Sequence, residues 1–171
     1  MRVTNASVLA SLIGLTLVLP ATTFAEDISG LVTTTRTIRE NSRLVGDVTC
    51  TVTGAACISF GASRIELRLN GFTISGQADA TTGCGGTFQA GENGITTNGQ
   101  TDVEIRGPGV VQRFRASGVL FAGTLLGKVE GITSSTNCQS GILVNATSSR
   151  ITVGANIAVR NGTPQASCGG I

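Results

Sequence analysis

Between positions 62 and 76 the chain reads ASRIELRLNGFTISG, and its apolar and polar positions alternate. Ile65, Leu67 and Leu69 interleave with Arg64, Glu66 and Arg68, a period of two that predicts a strand with one dry face and one wet face. Asn70-Gly71 turns the chain, Phe72-Thr73-Ile74 begins a second short strand, and Ser75-Gly76 turns it again. Two short strands joined by a corner predict a coil, not a hairpin.

The pattern returns downstream. A Gly-apolar element stands at Gly94-Ile95, Gly118-Val119, Gly141-Ile142 and Gly170-Ile171, in steps of 24, 23 and 29 residues. Between its copies lies a second element that begins with Arg64-Ile65-Glu66, Asp102-Val103-Glu104, Lys128-Val129-Glu130 and Arg150-Ile151-Thr152. Such a repeat, built of short strands without a helical window, fits a parallel β-solenoid, in which each coil lays its strands on those of the coil before. An antiparallel sandwich is the alternative, and the recurrence disfavours it.

The coils divide at about 41–61, 62–99, 100–123, 124–147 and 148–171, five in all. The second is long because 77–92, QADATTGCGGTFQAGE, reads as an inserted surface loop. Expected inward positions are Ile65, Leu67 and Leu69, then Val103 and Ile105, Val129 and Ile132, and Ile151 and Val153, with Phe60, Phe72, Phe114 and Phe121 as stacked aromatics. Asn70, Asn98, Asn137, Asn156 and Asn161 near corners are candidates for amides that hydrogen-bond turn backbone along the stack.

Composition narrows the chemistry. The chain has 24 glycines, a formal net charge of +2 and no Trp, Tyr or His, so an imidazole base, a Ser-His-Asp triad and a His-ligated metal are excluded. Nothing in the charge implies a nucleic-acid partner; Arg113-Phe114-Arg115 is the densest basic spot and is too small for one. Gly83-Cys84-Gly85-Gly86 has no lysine and no following helix, which excludes a phosphate loop.

Residues 1–25 combine Arg2, an apolar stretch from Val8 to Leu19, Pro20, and small residues at Thr23 and Ala25. They read as a secretory signal cleaved after Ala25, too short to span a membrane, which places the mature chain in the periplasm, outside the cell or on its surface. An oxidising compartment makes disulfides the expected use of the five cysteines. Cys50 and Cys57 flank a reversal at Gly54 and are expected to pair, and Cys138 and Cys168 each precede a Gly-Ile element at equivalent corners and are expected to pair. That leaves Cys84 unpaired, as a free thiol, a bond to another chain, or half of a pair completed outside this sequence.

The runs LVGDVTCTVTGAACISFGASRIELRLNGFTISG, NGITTNGQTDVEIRGPGVVQRF and SGILVNATSSRITVGANIAVRNG resemble bacterial secreted right-handed parallel β-helix repeat proteins, whose fold is that of pectate lyases. The resemblance covers 44–171; Phe72 departs from it, a histidine often standing there. It implies an all-β, right-handed parallel β-helix, with 26–43 as an N-terminal cap or lead-in strand. The C-terminal end is expected to be incomplete, because the chain stops inside a repeat and would leave an open edge able to self-associate.

Candidate chemistry follows from the stacking. Glu66, Glu104 and Glu130 are expected in one outward column, about 4.8 Å per step. Such a row could hold calcium or supply an acid and a nucleophile, with Arg106, Arg113 or Arg115 as the base of a lyase. Arg64, Asp102, Lys128 and Arg150 would flank it on one side and Arg68 and Arg106 on the other, as in a solvated charge ladder that neutralises the glutamates. The functional expectation is therefore a secreted, non-catalytic module that contacts carbohydrate or an envelope protein, without a cofactor. The alternative is a polysaccharide lyase or glycoside hydrolase using Glu66, Glu104 and Glu130, with calcium. Asn145-Ala146-Thr147 and Asn161-Gly162-Thr163 match the N-glycosylation sequon, and corner chemistry accounts for both asparagines.

Overall fold

The computed structural model describes residues 26–79, 81, 84, 89–163 and 169–171; the proposed leader, seven of the sixteen residues of the inserted loop 77–92, and Cys168 lie outside them. The chain runs through β1 (Glu26–Val32), β2 (Arg36–Ile38), β3 (Ser42–Cys50), β4 (Ile58–Phe60), β5 (Glu66–Arg68), β6 (Thr73–Ser75) and β7 (Ile95–Thr96). It continues through β8 (Thr101–Gln112), β9 (Val119–Phe121), β10 (Leu125–Ser135), β11 (Ile142–Val144), β12 (Thr152–Gly154) and β13 (Ile157–Val159). Among the described residues there is no helix, and none could cross a membrane as one.

Successive strands alternate between two sheets, except that β5 and β6, and β12 and β13, both stay in the larger one. The larger takes the order β1-β3-β5-β8-β10-β12, with β6 beside β3 and β8, and β13 beside β10; the smaller takes β2-β4-β7-β9-β11. Every strand pairing is parallel. The segment 26–43, expected to be a cap, supplies β1 and β2, paired in parallel with β3 and β4.

The recurring Gly-apolar element has a steric cause. Val119 N donates to Gly141 O, Ile95 N to Gly118 O and Ile142 N to Gly170 O, so the four glycines stack. A Cβ at Gly94 would lie 2.6 Å from Gly118 O, and one at Gly141 would lie 2.9 Å from Gly170 O. Only glycine permits that approach.

The core lies between the sheets. Phe60 and Phe121, together with Ile38, Leu44, Leu67, Ile74, Ile105 and Ile132, are essentially sealed from solvent, and the expected inward set from Ile65 to Ile132 is buried. Ile151 and Val153 are only partly buried, as is Phe72, while Phe114 is buried. Asparagines bind backbone one coil away, at strand residues as well as at the turn backbone expected for them. Asn70 Nδ2 donates to Leu44 O at 3.0 Å, Asn156 Nδ2 to Val129 O at 3.0 Å, and Asn161 Nδ2 to Ser134 O at 2.9 Å, while Asn137 Oδ1 accepts from Phe114 N at 3.1 Å. Asn98 instead takes a left-handed corner, φ +49°.

Cysteine pairing differs in part from expectation. Cys50 is bonded to Cys57, but Cys138 is bonded to Cys84, across 54 residues. Cys84 is therefore not free, and the expected Cys138–Cys168 bond is replaced. The inserted loop leaves β6 with Ala78 N held by Arg113 O, which brings Cys84 against the corner after β10, where Ala78, Cys84 and Cys138 form a small buried cluster. Equivalent positions in the repeat suggested a bond that the loop, lying outside the repeat, supersedes.

Candidate functional site

Alternation sends every second residue of the larger sheet outward, and parallel register stacks these residues into columns. Glu66 opposes Glu104, and Glu104 opposes Lys128, which opposes Thr152. The next outward column runs Asp27, Arg43, Arg68, Arg106, Glu130, Gly154. Glu66 and Glu104 are neighbours as expected. Glu130 is not in their column: the register sets it two residues further along, at the end of the arginine column.

The result is a mutually neutralising lattice. Arg68 grips Glu66 with two hydrogen bonds, Nε to Oε1 at 2.7 Å and Nη2 to Oε2 at 3.2 Å. Arg106 Nη2 donates to Glu104 at 2.7 Å, and its Nε lies 3.1 Å from Glu66 Oε1 without hydrogen-bond alignment. Lys128 Nζ reaches Glu104 at 3.1 Å and Glu130 at 2.6 Å, and Arg43 pairs with Asp27 at 2.7 Å. Glu66 is the most shielded of the three glutamates, its side chain 14% exposed, and it touches two guanidinium groups.

Protonation equilibria follow those contacts. The Lys128 ammonium holds Glu130 below its ordinary range, and Glu130, then Glu104, raise Lys128. The hydrogen bond from Arg43 lowers Asp27, and Glu66 raises Arg68. Each of these four shifts, at Glu130, Lys128, Asp27 and Arg68, favours the charged form. Among the described residues, no three His, Cys, Asp or Glu side chains gather as a metal site would require.

The other suggested bases stand elsewhere. Arg113, in a left-handed corner at φ +64°, donates to Ala78 O at 3.1 Å. Arg115 Nε lies 3.7 Å from Glu92 Oε2, and Glu92 Oε1 accepts from Gly54 N at 2.8 Å. Glu92 and Arg115, with Cys50, Thr53, Gln77 and Phe114, line a cleft of about 20 Å³. That is room for one water, not for a sugar.

Beyond the charges, the same sheet face changes character. One column passes from Thr73 through Val110 and Thr133 to Ile157, and the adjacent one runs Leu31, Thr49, Ser75, Gln112, Ser135, Val159. Neither contains an ionised side chain. Asp47, at the edge of this strip, accepts a hydrogen bond from Thr73 N at 2.8 Å. The one sign of this strip in the sequence is that Thr73-x-Ser75 recurs as Thr133-x-Ser135. Compared with protein-family models, curated proteins and solved structures, the chain matches none.

Proposed function

We propose that the chain is an exported, right-handed parallel β-solenoid of about five coils, of the pectate-lyase-like kind, serving as a non-catalytic contact module for an extended, uncharged carbohydrate. Its handedness is that of nearly all parallel crossovers, and its disulfides suit the oxidising compartment that the leader implies. The observation that carries the reading is the uncharged strip beside a lattice in which every glutamate already has a cationic partner. Thr73, Ser75, Gln112, Thr133 and Ser135 offer donors and acceptors to sugar hydroxyls, and Val110, Ile157 and Val159 offer apolar surface to ring faces. A rise of about 4.8 Å per coil presents them as a regular series.

Retention of the purified protein on insoluble neutral and acidic polysaccharides tests this. Thr73→Lys combined with Gln112→Lys should lower retention on the neutral polymer at least tenfold, while Glu104→Gln should leave it unchanged. Calcium-dependent release of sugar fragments that vanishes in Glu104→Gln would instead establish the lyase or hydrolase alternative.

A further inference from the structure

Two sequons lie in the described part of the chain, and their asparagines are built differently. Asn161 is locked into the stack: its Nδ2 donates to Ser134 O at 2.9 Å, and its Oδ1 accepts from Asn137 N and Asn137 Nδ2, both at 3.0 Å. Its Nδ2 would also lie 2.7 Å from a Cβ at Gly141, so no room is left around that nitrogen.

Asn145 sits on an open corner after β11, next to exposed Ala146 and Thr147. All of its side-chain hydrogen bonds use the oxygen. Oδ1 accepts from Gly123 N at 3.2 Å, from Thr147 Oγ1 at 2.8 Å and from Ser148 Oγ at 3.0 Å. N-glycosylation substitutes the nitrogen and leaves the oxygen as an acceptor, so each of these bonds survives the modification. The hydroxyl that completes the sequon, Thr147 Oγ1, is already seated on the acceptor asparagine.

We infer that Asn145 is a site for an N-linked glycan that the native fold accepts, and that Asn161 is not. The donor is a lipid-diphosphate-linked oligosaccharide. Asn145 Nδ2 forms a bond to the anomeric carbon, the bond from that carbon to phosphate oxygen breaks, the amide loses one proton, and the lipid diphosphate leaves. The inference rests on passage through a secretory lumen and is independent of what the sheet face binds.

The test is secretion of residues 26–171 from a eukaryotic host behind that host's own signal peptide, so that the third sequon of the sequence, Asn5-Ala6-Ser7, is absent. Intact mass and peptide mapping after enzymatic deglycosylation in heavy-oxygen water then locate the glycan. A single glycan at Asn145, lost in Asn145→Gln and in Thr147→Ala but kept in Asn161→Gln, is the expected result. Translation into microsomes gives the same readout if secretion is poor. A folded product glycosylated at Asn161, or unmodified at Asn145, overturns the inference.

Discussion

The outer face of the larger sheet carries two lanes made by the same strands and resting on one core, yet they solve different problems. In the charged lane, the side chains of Glu66, Arg68, Glu104, Arg106, Lys128 and Glu130 find their partners on the sheet itself. In the uncharged lane, Thr73, Ser75, Gln112, Thr133 and Ser135 stand in short columns without ion pairs. Between β8 and β10 the register sets Lys128 beside Glu104 and Glu130 beside Arg106, while one coil earlier the like pairs Glu66–Glu104 and Arg68–Arg106 are neutralised diagonally, Arg68 binding Glu66 and Arg106 binding Glu104. A lane of hydroxyls and aliphatic groups specifies little about register. Its polar groups remain available to something outside.

The largest expected effect concerns what the lanes share. Leu67 lies beneath the charged lane and Ile74 beneath the uncharged one, both fully buried in a single cluster. Leu67→Ala and Ile74→Ala should each cost about 2–5 kcal/mol in denaturant unfolding. A variant that melts only its own lane would show that the core is not continuous. Next comes the lattice: Glu66→Gln releases Arg68 and weakens the contact with Arg106, and should cost about 1–2 kcal/mol by the same measurement.

The acid limb of the stability curve separates the lanes further. Because Lys128 lowers Glu130 in the folded state, that contribution is complete above the unfolded carboxylate value and is lost as pH falls through the lowered one. Lys128, raised by its two glutamates, contributes below the unfolded ammonium value and loses that contribution as pH rises through the raised one. Lys128→Met should therefore flatten the decline of melting temperature below about pH 5. An unchanged slope would place the acid sensitivity elsewhere. The smallest effect is expected in the uncharged lane, where Ser75→Ala and Thr133→Ala should change stability by no more than about 0.5 kcal/mol.

Much of this was legible from alternation. Leu67, Leu69, Val103, Ile105 and Val129 are inward because side chains alternate strictly along a strand, and glycines a coil apart stack because their backbones meet. Lateral register was less legible. Moving β10 by two residues along β8 keeps every apolar side chain inward, so alternation cannot tell Glu130 opposite Glu104 from Lys128 opposite Glu104. Hydrogen bonding and charge choose the second. The partner of Cys84 is illegible for a related reason: the repeat predicts what its own positions do, and the inserted loop obeys other contacts. The uncharged lane is not legible in the sequence, because serine and threonine on a wet face are ordinary until stacked.

The hydrogen bonds from side chains to the neighbouring coil's backbone recur at separations near 24 residues, as in Ile132 to Asn156, Asn137 to Asn161 and Phe114 to Asn137. Length in this protein is therefore quantised. Tandem duplication of one such segment would add a rung to every ladder at once, lengthening the sheets without disturbing the rungs already there, whereas an insertion of one residue within a strand would turn that rung inside out. The length of the sheets can therefore be altered by copying, one segment at a time.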